Sequence, residues 1–305
     1  MIRLPPFLKD SDKVGIIPPA SKIATSHIVK ARKLLESWGL EVILSSNFNS
    51  SHFQFAGTDS ERLVALQTFL DDKEIKAIFC ARGGYGTSRI IDQLDLSQLK
   101  KSLKWVIGFS DITILLNKLF LNHISCIHGP MPLNFFEKDS LESLDILRCF
   151  LFEGSYPEIT FKTRSSNKPG YAEGPVVGGN LSLLTNSIGT VTNIDTHGKV
   201  LFIEDVDEKL YRIDRMIVQL KRAGILEGLR GLIVGHFARI DDRKKFGYSL
   251  QEIILGHTVE FDFPVCFNAP IGHVMPNYPI IIGGIINLDV VSRSASFRLK
   301  QNPGN

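Results

Sequence analysis

The sequence predicts an α/β protein with two domains. The N-terminal domain has a mainly parallel sheet flanked by helices, and the smaller C-terminal α/β domain has mixed or antiparallel strands. Short β-rich runs alternate with amphipathic helical patterns over residues 13–129, which is typical of βαβ units. A stretch rich in Gly, Pro and Ser, without a helical period, then separates two patterned regions. We therefore predict an N-terminal domain at 1–152, a link at 153–175 and a C-terminal domain at 176–305, a division that a chain of 305 residues is long enough to support.

In the N-terminal region, apolar β-type runs predict strands, and apolar residues spaced three or four apart predict helices. The predicted elements are, in order, a strand at 13–20, a helix at 26–40, a strand at 41–45, a helix at 60–72, a strand at 75–81, a helix through Ile90 and Ile91, a strand at 105–109, a helix at 110–122 and a strand at 125–129. Gly39 closes the first helix and Ser60 opens the second. Strands joined through helices pair in parallel, which predicts the parallel sheet.

In the C-terminal region the same reasoning gives a mixed pattern. The predicted elements are a glycine turn leading into a helix at 176–190, a strand at 199–206, a helix at 211–226, a strand at 231–237, a helix at 249–261 and a strand at 264–270. The tail at 279–299 alternates apolar and polar residues and contains glycines, which favours antiparallel strands.

The charge distribution excludes several classes of function. The net charge of +3 comes from 35 basic and 32 acidic residues that are interspersed, so we expect no nucleic-acid partner. The start has no apolar core of leader length, and no run reaches the roughly 18 apolar residues of a membrane span. We expect a cytoplasmic protein without a membrane partner.

The four cysteines are far apart, and Cys80, Cys126 and Cys266 lie in apolar stretches. Buried free thiols in a reducing compartment explain this pattern best. Since no pair has the spacing of a zinc site and no cofactor motif is present, we expect neither a metal nor a cofactor.

Ser110 follows a predicted strand and begins a predicted helix in the segment GFSDIT. Such a turn exposes a serine nucleophile and aims the next N–H, that of Asp111, at the oxyanion. The elbow pattern is G-x-S-x-G, however, and Ile112 stands where its second glycine belongs. Helix capping therefore remains an alternative at this point.

Other polar residues also follow predicted strands, where ligands and catalytic groups collect in open α/β sheets. The turn RGGYG at 82–86 either offers backbone N–H donors or is only a tight turn, and it lacks the pattern of a phosphate loop. The acidic run of Glu204, Asp205, Asp207 and Glu208 could hold a cation, orient a histidine or face solvent. Glu204 ends an apolar strand, but spacing does not separate it from Asp205.

Three histidines occupy comparable positions. His128 and His273 follow apolar strands beside Gly or Pro and could face a cleft, and His236 also ends a strand. A packing role remains the alternative for each.

Together these segments resemble the LD-carboxypeptidases of murein recycling, a serine peptidase family that includes the microcin-immunity peptidases. The resemblance is carried by ARGGYGTSRIIDQLD at 81–95, IGFSDIT at 107–113, HGPMP at 128–132, GGNLSLL at 178–184, VLFIEDVDEKLYRIDRMIVQLKRAG at 200–224 and APIGHV at 269–274. Because the segments occur in order along nearly the whole chain, they are more specific than any single motif.

The resemblance implies a triad in which Ser110 is the nucleophile, His273 the general base and Glu204 its orienting carboxylate. It implies that the backbone N–H groups of Gly84 and Asp111 form the oxyanion hole. It also implies a homodimer that hydrolyses, through an acyl-enzyme, the amide between an L-centre diamino acid and the terminal D-alanine of a murein tetrapeptide.

The sequence departs from the family pattern at Phe109, where members often have tyrosine, and in the segment at 274–283. Three further residues are candidates for substrate binding. Arg82 or Arg212 could bind the terminal carboxylate, and His128 could line the cleft.

Three other functions are compatible with parts of the sequence. The first is an immunity-type peptidase that cleaves aminoacyl-nucleotide toxins of the microcin type. The second is a two-domain ligand-binding module without catalysis. The third is a metal-dependent hydrolase that uses the acidic run.

Overall fold

The computed structural model describes residues 2–163, 167–240 and 243–300. Residues 164–166 of the predicted link, and residues 241–242 and 301–305 of the predicted C-terminal domain, lie outside the described residues.

The chain divides into two compact units. The first unit comprises Met1–Ser155 and Met275–Ile281, and the second comprises Tyr156–Val274 and Ile282–Asn305. A short C-terminal segment thus belongs to the N-terminal unit, which the sequence pattern did not indicate.

The secondary structure follows the predicted alternation. The strands are β1 (Lys13–Ile17), β2 (Glu41–Leu44), β3 (Ile75–Cys80), β4 (Trp105–Gly108), β5 (Cys126–His128), β6 (Ile159–Lys162), β7 (Gly170–Asn180), β8 (Val200–Val206), β9 (Gly231–Ala238), β10 (Val265–Cys266), β11 (Ile280–Ile282), β12 (Ile285–Val291) and β13 (Ser294–Leu299). The helices are α1 (Thr25–Ser37), α2 (Asp59–Asp71), α3 (Thr113–Leu121), α4 (Leu141–Glu153), α5 (Leu181–Ser187), α6 (Leu210–Arg222), α7 (Arg243–Phe246) and α8 (Leu250–Thr258). Over the described residues, no helix combines the length and apolar content needed to cross a membrane.

Two sheets form within the described residues. The sheet of the first unit has six strands in the order β11-β5-β4-β3-β1-β2, and β1 to β5 pair in parallel. The other sheet has seven strands in the order β10-β9-β8-β7-β12-β13-β6. Its β7 to β10 pair in parallel, whereas β12 pairs antiparallel with β7 and β13, and β13 with β6. The predicted fold class is confirmed.

Local signals explain where two helices begin. Thr58 caps α2 in a reciprocal pair with Glu61, whose carboxylate accepts the Thr58 N–H at 2.7 Å. Ser249 caps α8 through the same arrangement with Glu252. Each polar residue satisfies a backbone N–H that would otherwise lack a partner at the start of the helix.

The structure differs from the predicted elements in several places. The region around Ile90 and Ile91 forms two short 3-10 turns, Thr87–Arg89 and Ile91–Gln93, instead of one helix. The segment 153–175 carries β6 and the first part of β7, and helix α4 was not predicted. The glycines and the proline within β7, and Gly154 and Pro157 just before β6, hid the strand signal, because these residues are usually depleted in strands.

The strand cores are apolar and include three of the cysteines. Cys80, Cys126 and Cys266 are free and buried, and burial raises the pKa of each thiol, that of Cys266 to about 12. The prediction of buried thiols is confirmed for these three residues, while Cys149 is partly exposed.

Candidate active site

The turn at Ser110 is a strained connection between a strand and a helix. Strand β4 ends at Gly108, and Ser110 has a φ of 63°, a left-handed conformation that is unfavourable for a residue with a side chain. A 3-10 turn at Ser110–Ile112 then leads into α3. The residues at the capping positions of these two helices are Phe109 and Ile112, so Ser110 is not the capping residue. Backbone strain of this kind is concentrated at functional sites.

Gly108 explains why Ile112 can stand where the elbow pattern has a glycine. A Cβ at Gly108 would lie 2.9 Å from Ile112 Cγ2 and 3.1 Å from the Cβ of Cys80. The bulky Ile112 side chain therefore packs into the space that the missing side chain of Gly108 leaves. The close approach that the elbow needs is retained, and the glycine that provides it lies two residues before the serine.

The glycine turn at 82–86 lies directly against Ser110. A Cβ at Gly83 would lie 3.0 Å from the Ser110 Cβ and 3.2 Å from both Ser110 Oγ and the Asp111 nitrogen. Within the described residues, the N–H group of Gly84 donates to no backbone acceptor. The absence of a side chain at Gly83 therefore keeps the space in front of the serine open.

The Asp111 carboxyl group contacts the backbone just after the glycine turn. It is buried, and Oδ2 accepts the Thr87 N–H at 2.8 Å. Burial raises the pKa of this carboxyl group, and the N–H groups of Thr87 and Gly86 together with the charge of Arg62 offset part of that effect. The side chain of Asp111 is thus engaged with the backbone that follows the glycine turn.

In the second unit, the buried Glu204 contacts the partly exposed His273. Glu204 lies on β8 and is fully buried, and its Oε2 is 2.6 Å from His273 Nδ1. Gly272 has a φ of 112°, and a Cβ there would lie 2.7 Å from Glu204 Oε2 and 2.8 Å from its Cβ. Only glycine lets this backbone lie so close to the carboxylate.

The pair determines both the protonation and the tautomer of His273. Burial lowers the pKa of His273, but the charge and hydrogen bond of Glu204 outweigh it and, with Asp205, raise the pKa above its usual value. Because a carboxylate only accepts, Nδ1 carries the proton and the neutral ring has Nε2 as its base. By contrast, burial lowers the pKa of His236.

The structure separates the members of the acidic run. The Asp205 carboxylate accepts from Asn180 Nδ2 at 2.9 Å and from the Ser182 N–H at 3.0 Å. Asp207 forms an exposed two-point ion pair with Arg239 at 2.5 and 2.7 Å. Among the described residues, no group of three or more His, Cys, Asp or Glu side chains is arranged to hold a metal ion. Of the acidic residues in this run, Glu204 is the one that contacts His273.

The three predicted substrate-binding residues lie in different surroundings. Arg82 is half-buried and donates to a backbone carbonyl at 2.9 Å. Arg212 on α6 is exposed and lies 3.6 Å from the carboxylate of Glu208. His128 is fully buried, with its ring 5.7 Å from the Phe109 ring, which favours packing over substrate contact.

One buried polar residue near Ser110 was missed from the sequence. Arg62, on α2, is fully buried. Its guanidinium donates a hydrogen bond to the Gly86 carbonyl at 2.9 Å. In the sequence it reads as one polar residue of an amphipathic helix, because the pattern of a helix does not show which polar side chain reaches a distant loop.

Comparison with known proteins identifies relatives over most of the chain. Residues 14–129 match the family model of the LD-carboxypeptidase N-terminal domain, and residues 173–288 match that of the LD-carboxypeptidase C-terminal domain. A probable murein peptide carboxypeptidase of Bacillus subtilis is 35% identical, over 95% of this chain and 93% of its own. The murein tetrapeptide carboxypeptidase of Pseudomonas aeruginosa is 31% identical, over 87% of this chain and 89% of its own.

Solved structures show the same fold. The crystal structure of muramoyltetrapeptide carboxypeptidase from Oxalobacter formigenes aligns with a TM-score of 0.83 and 28% identity, over 95% of this chain and 99% of its own. The microcin C7 self-immunity protein MccF, in complex with aspartyl sulfamoyl adenosine, aligns with a TM-score of 0.86 over 99% of both chains. At 19% sequence identity, this structural alignment shows a shared fold and nothing more.

Proposed function

Because the chain belongs to the LD-carboxypeptidase family and is a serine-type carboxypeptidase, we propose that it hydrolyses murein tetrapeptides. The bond cleaved is the amide between the L-centre of the diamino acid and the terminal D-alanine. The products are the tripeptide and free D-alanine. The names of the relatives from Bacillus subtilis and Pseudomonas aeruginosa support this substrate class.

The observation that carries the proposal is the 2.6 Å contact between His273 Nδ1 and the fully buried Glu204. It holds the imidazole in the tautomer whose Nε2 accepts a proton. A serine hydroxyl is too weak an acid to attack an amide unaided, and Ser110 sits on the strained turn that such a nucleophile requires.

In the proposed acylation step, Ser110 Oγ attacks the carbonyl carbon while its proton passes to His273 Nε2. The oxyanion that forms is bound by the N–H groups of Gly84 and Asp111, and losing one such donor typically lowers the rate on the order of 100- to 1,000-fold. When the C–N bond breaks, His273 gives the proton to the leaving amine of D-alanine. The acyl group remains on Ser110.

In the proposed deacylation step, His273 Nε2 takes a proton from water, and the hydroxide attacks the acyl carbon. The proton then returns to Ser110 Oγ as the tripeptide leaves. The negative Glu204 stabilises the imidazolium in both steps. Arg82 and Arg212 are the candidates for binding the terminal carboxylate of the substrate.

We further propose a cytoplasmic homodimer that acts in cell-wall recycling. The buried free thiols of Cys80, Cys126 and Cys266 support a reducing compartment, and the family resemblance supports the dimer. Analytical ultracentrifugation of the purified protein measures the assembly directly.

The decisive experiment incubates the purified protein with a murein tetrapeptide and follows tripeptide and D-alanine by mass spectrometry. We expect wild type and a control with the exposed Ser60→Ala on α2 to release D-alanine in the presence of EDTA, and Ser110→Ala to release none. A fluorophosphonate probe should label wild type and leave Ser110→Ala unlabelled.

No label on wild type would favour a binding module, and loss of activity in EDTA would favour a metal-dependent hydrolase. Turnover of an aminoacyl sulfamoyl nucleotide in place of the tetrapeptide would assign the immunity-type reaction.

A further inference from the structure

Two buried charged side chains, those of Asp111 and Arg62, contact the end of the glycine turn next to Ser110. From one side, Asp111 Oδ2 accepts the N–H of Thr87 at 2.8 Å, and only 1% of Asp111 is exposed. Thr87 directly follows the glycine turn and begins the first 3-10 turn. The residue after the nucleophile therefore binds the backbone that follows the turn.

From the other side, α2 contributes Arg62. Its Nη1 donates to the carbonyls of Pro19 at 2.8 Å and of Gly86 at 2.9 Å, and its Nη2 pairs with Asp59. Since the guanidinium is 0% exposed, its bonds are made without competition from water. A rigid, multi-donor guanidinium is suited to holding several acceptors at once.

Both contacts act on the same peptide unit. Arg62 binds the carbonyl of Gly86, and Asp111 binds the N–H of Thr87, which belongs to the next residue. The beginning of the turn is fixed separately, because the Ser21 N–H donates to the Gly83 carbonyl at 3.1 Å. The glycine turn is thus held at both ends, with Gly84 between them.

Burying these charges is unfavourable unless they are partnered, and neither takes part in the proton transfers proposed for Ser110 and His273. Burial raises the pKa of Asp111, and the Thr87 and Gly86 N–H groups and Arg62 counteract it. Burying Asp111 and Arg62 costs free energy, and both side chains contact the glycine turn. The geometry that they impose on this turn explains why they are buried there.

We propose that the Asp111 carboxylate and the Arg62 guanidinium are positioning residues that hold the glycine turn at 82–86 against Ser110. This inference rests on the proposed function. Asp111 supplies one oxyanion N–H itself, and its carboxylate fixes the turn that supplies the other, from Gly84. The Asp111 side chain thus helps to set the distance between the two donors, and Arg62 supports the same peptide unit from α2.

The test compares Asp111→Ala, Asp111→Asn and Arg62→Lys with wild type in the tetrapeptide assay. A displacement of about 1 Å in a reacting group costs about 100-fold in rate, so we expect kcat to fall by about 100-fold in Asp111→Ala with KM little changed. Asp111→Asn keeps an acceptor for the Thr87 N–H and should recover most of the activity. In Arg62→Lys a single ammonium replaces the planar guanidinium, so kcat should fall while the protein stays folded.

Two variants serve as matched controls. The exposed Asp95 accepts a backbone N–H, that of Ser97, at 2.8 Å, as Asp111 accepts that of Thr87. Arg32 forms an exposed ion pair with Glu36 at 2.7 Å. We expect Asp95→Asn and Arg32→Lys to leave kcat unchanged.

The pH profile distinguishes positioning from general damage. In the positioning variants the acid limb of kcat/KM should stay where His273 sets it, because the His273–Glu204 pair is intact. A folded Asp111→Ala with wild-type kcat, or losses confined to KM or to thermal stability, would overturn the inference. If Asp111→Ala does not fold, a wild-type kcat in both Asp111→Asn and Arg62→Lys overturns it as well. In each case an active wild type and an inactive Ser110→Ala show that the proposed function itself still holds.

Discussion

Replacing Glu204 by glutamine removes the charge next to His273 and changes little else in size. Two orientations are open to the new amide. With its oxygen facing His273 Nδ1, the NH2 group takes the position of Oε1, a buried atom that has no hydrogen-bond partner among the described residues. An unsatisfied buried donor costs about 1–3 kcal/mol.

With the NH2 group facing His273 instead, Nδ1 must accept a hydrogen bond. The ring proton then lies on Nε2, and the imidazole is no longer a base for Ser110. The serine protease triad loses about 10⁴-fold in kcat when its buried carboxylate is changed to the amide for this reason. The 2.6 Å contact in this chain likewise requires a proton on His273 Nδ1. We therefore expect Glu204→Gln to lower kcat by a factor approaching 10⁴.

The same variant should shift the pH dependence. In wild type the pKa of His273 is raised, because Glu204 outweighs burial, and the base is therefore active only above that raised value. Without the charge of Glu204, burial dominates and the pKa falls. The acid limb of kcat/KM should move to lower pH.

The stability effect has a defined pH window. A raised histidine pKa stabilises the folded state fully below the ordinary value of 6.5, and this contribution is lost as the pH rises through the raised pKa. Glu204→Gln should therefore be more destabilising, relative to wild type, at pH 5.5 than at pH 9.

The assay measures D-alanine release between pH 5.5 and 9, together with thermal melting at both limits. Glu36→Gln, on the exposed face of α1, is the control and should match wild type. The reasoning is refuted if a folded Glu204→Gln retains activity within about tenfold of wild type with an unmoved acid limb.

Glycine variants should affect activity according to what the new Cβ meets. Gly272→Ala places a Cβ 2.7 Å from Glu204 Oε2 at a φ of 112°, and its kcat should fall by about 100-fold. Gly189, with a φ of 79° and nothing within 4 Å of a new Cβ, provides the control. Gly189→Ala should lose only about 1–2 kcal/mol of stability in a melting experiment. Gly83→Ala places a Cβ 3.0 Å from the Ser110 Cβ and should stay folded but lower kcat by about 100-fold or more. Wild-type turnover in either active-site variant would contradict the reasoning.

The sequence predicts the fold class well because its signals are local and repeated. The alternation of β-rich runs and helical patterns gives the parallel sheet, and the polar and apolar alternation of the tail gives the antiparallel pair β12 and β13. The composition signal fails at β6 and the start of β7, where Gly and Pro residues lie in or beside strands. Tertiary pairing overrode local preference there.

The candidate site was only partly visible in the sequence. Glu204 and Asp205 are adjacent and chemically similar, and the choice between them depends on which face of β8 each side chain leaves. The structure directs Glu204 to His273 and Asp205 to Asn180 and Ser182. The spacing of residues along β8 does not show which loops lie against each of its faces, so it does not show which carboxylate meets a histidine.

The Ser110 turn shows a different limit. The elbow pattern expresses a steric requirement as a fixed position for glycine, but the requirement is only that the residues around the turn pack without a clash. Here Gly108 meets it from the strand, and Ile112 fills the volume that becomes available. Gly83 meets the related requirement in front of the hydroxyl from another loop. This chain does not match a motif that requires the second glycine. The geometry of its turn nevertheless meets the steric condition that the motif describes.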